Sequence, residues 1–229
     1  MYNTRINPTT NGPIHLGHLY TAFVNEAVSR ETEGRFMVRW DDSNPAWLSE
    51  FGQDRMNLII VGQREDLAWI GLKPYAWTKQ SDIIDEVHDW INKRAVVLPD
   101  ENPPSTPEII GGEGLVLYPL TTTLTAEKVV MDYMNGINLL IRGVDLLSEY
   151  SLYQYYCRLF GLPQPRHIYL PRLRWSGGDM SKSRGAQSVG ELRNSGYTPK
   201  QVRDMIEKAC LILPANGWTL GNLKGSPRL

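Results

Sequence analysis

Two histidines three residues apart are the first residues whose types and spacing could do chemistry. They stand in Pro8-Thr9-Thr10-Asn11-Gly12-Pro13-Ile14-His15-Leu16-Gly17-His18, a polar Gly/Pro loop that runs into an apolar-periodic stretch. With a strand before the loop and a helix after it, His15 and His18 open the helix. Its N-terminal N–H groups are unpaired and carry partial positive charge, which suits a polyphosphate. Two imidazoles can hydrogen-bond such an anion as its charge shifts, and Gly17 leaves room for a flat ring against the backbone. The structural alternative is a helix-start histidine plus a core one. Zinc is a third reading, but it needs more ligands. His88 and His167 have no supportive neighbours, and Cys157 and Cys210 make no four-thiolate site. Neither a metal site nor a structural zinc is expected.

A second stretch, Gly177-Gly178-Asp179-Met180-Ser181-Lys182-Ser183-Arg184-Gly185, combines glycines, hydroxyls and cations. Such a loop can surround phosphate. Read alone it is equally an exposed basic turn or a phosphorylation site. Gly111-Gly112-Glu113-Gly114 is a flexible loop, since no Lys-Ser/Thr follows it as a phosphate loop requires.

The elements that must position these residues follow from periodicity. Asn3 to Asn7 reads as a strand, Pro8 to Pro13 as a loop and Leu16 to Thr32 as a helix, with Leu16, Leu19, Tyr20, Phe23 and Ala27 at helical spacing and Gly34 as the stop. Arg35 to Trp40 alternates as a strand that ends at Asp41-Asp42. Helices are predicted over Ser49–Gly71 and Ser81–Ala95, then a Pro/Gly loop over Glu101–Gly114, extended chain over Leu115–Leu124 and a helix over Ala126–Met134. Ile137–Ile141 is a short apolar run, a buried parallel strand. Ser148–Phe160 is helical, His167–Leu170 a strand, Trp175–Ala186 a loop, and Val189–Asn194 and Thr198–Cys210 helices. Strands alternating with helices give an α/β class with a mostly parallel sheet, whose ligands bind at the carboxyl ends of the strands.

Composition limits the partners. Of 229 residues, 41% are hydrophobic and 21% charged, which excludes intrinsic disorder. No apolar run reaches membrane-spanning length and MYNTRINPTT has no signal-peptide core, so no membrane partner and a cytoplasmic setting are expected. Residues 1–150 carry 12 Lys+Arg against 21 Asp+Glu, net −9, whereas residues 151–229 carry 12 against 4, net +8. The basic third suits nucleotide phosphates or nucleic acid, or else pairs with the acidic part of the same chain. Its tail (Lys200, Arg203, Lys208, Lys224, Arg228) could contact such an anionic partner, or simply be a solvated helix face.

Taken together, His15-Leu-Gly-His18 and Met180-Ser-Lys-Ser183, about 160 residues apart, are similar to the two markers of class I aminoacyl-tRNA synthetases. The flanks narrow the resemblance. Arg5-Ile-Asn-Pro-Thr-Thr-Asn-Gly resembles the glutamyl-tRNA synthetase opening Arg-Phe-Ala-Pro-Ser-Pro-Thr-Gly. Met37-Val-Arg-Trp-Asp41-Asp42-Ser-Asn44 resembles Leu-Arg-Ile-Glu-Asp-Thr-Asp, and Asp66-Leu-Ala-Trp-Ile-Gly-Leu72 resembles Asp-Leu-x-Trp-Leu-Gly-Leu. Leu140-Ile-Arg142-Gly143-Val-Asp145-Leu-Leu resembles Val-Ile-Arg-Gly-Glu-Asp-Leu and the Arg-Gly-Ala-Asp-Leu-Leu of glutamyl-queuosine synthetases. Gly161-Leu-Pro163 and Pro171-Arg-Leu173 continue the likeness, which covers most of residues 3–212.

The resemblance implies a Rossmann-like, doubly wound parallel sheet over residues 1–95 and 135–187. It also implies an inserted connective or acceptor-binding segment over 96–134 and a short helical C-terminal extension over 188–229. It implies ATP as substrate with Mg2+, an aminoacyl-adenylate intermediate, and a tRNA or tRNA-like acceptor, with a monomer expected. His15, His18 and Lys182 would be catalytic. Thr9, His15, Gly17, His18, Met180, Ser181, Lys182 and Ser183 would hold ATP. Arg5, Asn7, Thr9, Asp41 and Arg142 would hold the amino acid, with Asp41 where the family has a Glu that contacts the substrate α-ammonium. Planar guanidiniums suit a carboxylate, hence glutamate. The structural alternative for Arg142 is an ion pair with Asp145 or Asp132.

Four features depart from the family. Asp179 stands in place of the first lysine of the usual Lys-Met-Ser-Lys-Ser. Asp41 is one methylene shorter than Glu. Leu124 falls where the pocket has a tyrosine, for which Tyr118 could substitute. About 44 residues follow Gly185, where the longer relatives carry an anticodon-binding region. Two alternatives stay open: adenylation with transfer to a modified nucleoside, small molecule or carrier protein, and a non-catalytic paralogue that binds ATP or a partner.

Overall fold

Three parallel strands, β1 (Thr4–Ile6), β2 (Phe36–Trp40) and β3 (Ala76–Lys79), form one sheet in the order β1-β2-β3. Beyond β1 lie β4 (Leu139–Gly143) and β5 (Arg166–Leu170), also parallel. The Asn3 carbonyl accepts from the N–H groups of Asn138 (3.2 Å) and Leu139 (3.3 Å), which seats β4 against β1. The spatial order is therefore β3-β2-β1-β4-β5, a doubly wound sheet that reverses direction between β1 and β4. The Rossmann-like α/β fold is present as expected. The computed structural model describes residues 1–94, 120–175, 178–179 and 187–211.

Two apolar layers cover the sheet. On one face α1 (Leu16–Glu31), α2 (Pro45–Trp69), α6 (Val189–Asn194) and α7 (Pro199–Leu211) pack Leu19, Phe23, Leu67, Leu192, Val202 and Ile206 against Ile6, Val38, Leu139 and Ile141. On the other, α3 (Ile84–Arg94), α4 (Leu120–Met134) and α5 (Tyr150–Leu159) pack Val87, Ile91, Val129, Val130, Tyr153 and Tyr156 against Met37 and Leu140. Burial of such side chains, at roughly 1.5–3 kcal/mol each, is the main force holding the strands in register.

Several boundaries differ from the sequence reading. The second helix starts at Pro45 rather than Ser49, because the Asn44 side chain caps it by accepting from Ala46 N–H, and it kinks at Gly52 (φ +70°). β3 is a strand that four residues were too few to announce; Trp77 in it stacks on Trp40 at 5.6 Å. The helix before β4 begins at Leu120, so the extended chain predicted to Leu124 is wrong from Leu120 on, and residues 115–119 lie outside the described residues. Three consecutive threonines, poor helix formers by their β-branching, hid that first turn. At the start of the predicted loop Trp175–Ala186, β6 (Arg174–Trp175) and β7 (Gly178–Asp179) pair antiparallel.

Candidate active site

The histidine corner is built by the turn that starts α1. His15 has extended backbone and caps the helix: its Nδ1 accepts from Gly17 N–H at 3.1 Å, while His18 Nδ1 accepts from His15 N–H at 3.3 Å. The two rings stack at 3.8 Å. A Cβ on Gly17 would stand 3.0 Å from His15 Cε1, so the glycine is what lets the capping imidazole fold over the first turn. His15 also bridges to Ser188, which caps α6. The preceding loop is pinned by Gln63 of α2. Its amide donates to the carbonyls of Thr9 (2.9 Å) and Gly12 (2.6 Å), and its Oε1 accepts from Trp40 Nε1 at 2.9 Å.

On the opposite face of the sheet, Asp132 of α4 reaches down between β1 and β2. It accepts from Arg5 Nε (3.0 Å) and Nη2 (2.8 Å), from Arg39 Nη2 (2.7 Å) and from the Tyr153 hydroxyl (2.9 Å). Burial alone would raise this carboxyl, but Arg5 and Arg39 outweigh it and hold it far below the usual carboxylate range. Burial, then Asp132, pushes the Tyr153 phenol well up. Arg39 also donates to Asn7 Oδ1 (3.2 Å) and Asn135 Oδ1 (3.0 Å), and Asn7 further accepts from Gln80 at 3.3 Å.

Arg142, at the end of β4, pairs with Glu149 at 3.1 Å rather than with Asp145 or Asp132, and lies over the Tyr153 ring. Its Nε is buried with no hydrogen-bond partner among the described residues. Three buried guanidiniums thus face one buried carboxylate and the half-exposed Glu149, whose side chain is 38% accessible. Positive charge is in excess where unpaired charge is costly, so the cluster is suited to an anion.

Between the two groups, at the carboxyl ends of β1 and β2, Thr9 bridges in parallel to Asp41. Thr9 Oγ1 donates to Asn11 Oδ1 at 2.7 Å. One Asp41 carboxylate oxygen pairs with Lys128 of α4 at 3.4 Å, while the other, Oδ1, is buried without a partner among the described residues. Neighbouring Asp42 accepts from the backbone and hydroxyl of Ser81 and so fixes the start of α3's approach.

Of the residues singled out from sequence, Arg5, Asn7 and Arg142 are linked through Asp132, Arg39 and Tyr153, Thr9 and Asp41 pair just beyond β1 and β2, and His15, Gly17 and His18 form the turn that starts α1. Met180, Ser181, Lys182 and Ser183 lie outside the described residues. Among the described residues no three His, Cys, Asp or Glu side chains converge on a metal-sized site, and no helix is long and apolar enough to cross a membrane. Sequence reasoning missed Arg39, Lys128 and Gln63. The signal for Arg39 was available: a cation in the middle of the otherwise apolar strand Phe36-Met-Val-Arg-Trp40. Lys128 and Gln63 sit on helices with nothing local to mark them.

Residues 1–94 match the family described as tRNA synthetases class I (E and Q), catalytic domain. Over 90% of its length the chain is 24% identical to a glutamate–tRNA ligase of Caulobacter vibrioides, covering 55% of that protein. A stretch of 87 residues, 38% of the chain, is 33% identical to a probable cytoplasmic glutamate–tRNA ligase of Schizosaccharomyces pombe, covering 11% of it. The solved glutamate tRNA ligase of Elizabethkingia meningosepticum, in complex with its amino acid, superposes with a TM-score of 0.67 at 17% identity, over 97% of this chain and 64% of that one. The chain therefore spans about half the length of the Caulobacter relative, and the structural likeness establishes the fold.

Proposed function

We propose that this chain, whose residues 1–94 match the catalytic domain of class I tRNA synthetases for glutamate and glutamine, activates an amino acid, glutamate, with ATP and passes it to a tRNA or tRNA-like acceptor. The observation that carries the reading is the cationic excess of Arg5, Arg39 and Arg142 around Asp132, with the Arg142 Nε donor unpartnered. A substrate with a side-chain carboxylate satisfies that donor; glutamine leaves the excess charge uncompensated.

In this reading the α-carboxylate oxygen attacks the α-phosphorus of ATP. The bond from that phosphorus to the bridging oxygen breaks, and pyrophosphate leaves with both electrons of that bond. The residues contribute positioning and charge stabilisation rather than covalent chemistry. His15 and His18, at the positive end of α1, meet the phosphates; Gly17 and Thr9 shape the floor. Lys182, with Met180, Ser181 and Ser183, neutralises the leaving pyrophosphate. Asp41 receives the α-ammonium, and Asn7 holds Arg39 beside the pocket. Mg2+ would accompany the triphosphate, but no acidic cluster among the described residues provides a seat for it, so no step is assigned to it. With this reading goes a monomeric protein placed in the cytoplasm, the compartment named for the Schizosaccharomyces relative.

Exchange of radiolabelled pyrophosphate into ATP tests this across the amino acids, with and without total tRNA. Exchange with glutamate only when tRNA is present is the expected result. Exchange with amino acid alone favours transfer to another acceptor. Nucleotide binding without exchange under either condition overturns the reading in favour of a non-catalytic paralogue.

A further inference from the structure

Lys128 and Asp132 stand four residues apart on α4 and therefore on one face of it. α4 descends toward the start of β4, so Asp132 lies deep against Arg5 and Arg39, and Lys128 lies one turn nearer the carboxyl ends of the strands. There its ammonium meets Asp41 at 3.4 Å. Asp41 is 3% exposed, and Lys128 is its only cationic partner among the described residues. A buried carboxylate at a strand end, with one oxygen on a lysine and the other unpartnered, is half satisfied. The free oxygen can accept from a ligand N–H, yet the resident ammonium repels any second cation brought to the same carboxylate.

We infer that Lys128 is a specificity-determining residue: it occupies the cation seat on Asp41 and competes there with the α-ammonium of the substrate. The inference rests on the proposed function, in which Asp41 takes that ammonium. Lys128 can yield, because its side chain is 25% exposed and has four rotatable bonds by which to swing outward. A substrate ammonium gains Asp41 only by displacing Lys128 or by sharing the carboxylate with it. Either way an α-amino acid is held more weakly than its remaining contacts would give, whereas an acid of the same length without an α-ammonium is held no worse.

Glutamate and glutarate differ in the α-ammonium alone, so their binding to the intact chain, measured by titration calorimetry, isolates the effect. Lys128→Gln and Lys128→Met should tighten glutamate about tenfold, or ~1.4 kcal/mol, and leave glutarate within about twofold. A loss of helix or fold, checked by melting temperature, would instead weaken both ligands together. Two variants of different polarity guard against an effect of the new side chain. Glutamate bound equally by wild type and both variants overturns the inference and leaves the proposed function standing. Equal tightening of both ligands overturns it too, since a general change of pocket charge then accounts for the gain. If glutamate binds none of the three proteins, with or without ATP and tRNA, the proposed function fails and the role of Lys128 fails with it.

Discussion

The arginine–aspartate cluster and the histidine corner flank the same short strand and hold their polar groups in opposite ways. The arginine bonds to Asp132 close long loops of chain: Arg5 and Asp132 are 127 residues apart, Arg39 and Asp132 are 93 apart. In the corner the ring nitrogens of His15 and His18 accept from amides only two and three residues away. A cluster of the first kind exists only after α4 has docked on the sheet, and it then locks strand, helix and charge together. A corner of the second kind forms with the first turn of α1.

Removing the shared carboxylate should break the difference most visibly. Asp132→Asn leaves Arg5 and Arg39 buried without their counter-charge, and the expected loss is ~3–5 kcal/mol of unfolding free energy, read by denaturant melts with circular dichroism. A loss below ~1 kcal/mol would show that the cluster is not holding the fold. The histidine corner should behave the other way. His15→Ala should cost about 1 kcal/mol of stability, the value of a helix cap, yet reduce pyrophosphate exchange about 100- to 1000-fold, as loss of a charge-stabilising donor does. Unchanged exchange in the presence of all substrates would sink the assignment of His15 to the phosphates.

The same contrast explains what could be read in the sequence. His15, Gly17 and His18 are legible because their geometry is a property of a few consecutive residues, and the α1, β2 and α5 patterns are legible because burial repeats at helical or strand spacing. Arg5 and Arg142 were legible as residues that take a carboxylate, but their resident partners were not: Glu149 rather than Asp145 or Asp132 meets Arg142. The choice depends on how a 3-10 turn over Val144–Glu149 leaves the sheet, and nothing in local spacing fixes that. Lys128 on Asp41 and Gln63 on the Pro8–Pro13 loop are invisible for the same reason, being contacts between elements rather than within one.

Gln63 links the two regimes. It is a helix residue, 2% exposed, that secures the loop leading to the histidine corner through three hydrogen bonds. Gln63→Ala leaves two carbonyls and the Trp40 indole N–H without partners, and the expected destabilisation is ~1–3 kcal/mol. Faster hydrogen exchange should appear at the amides of residues 9–12 before it appears in β2. Uniform acceleration across the sheet would mean that the loop is held by something else.

The smallest effect probes how far the cationic excess reaches. His167 on β5 lies beside Arg142's strand, its Nε2 buried without a partner among the described residues and its Nδ1 3.3 Å from the Tyr169 hydroxyl. Burial first, then Arg142 and Arg5, pushes the imidazole from the ordinary 6.5 down to about 4. As pH falls, the unfolded chain takes up this proton before the folded one does. Stability therefore declines between about 6.5 and 4 and is unaffected by His167 above that window. Because His167 is partly solvated, the contribution is about 1 kcal/mol or less. His167→Gln should flatten that decline by the same amount when melts are compared at pH 7 and pH 4.5; parallel curves would refute it. Asp132 is present in both proteins, so its own pH dependence cancels in the comparison. The field itself is checked by NMR: an anion seated on Arg142 cancels part of the repulsion, so saturating glutamate should raise the His167 titration midpoint, while an uncharged analogue of the same size should leave it where it was.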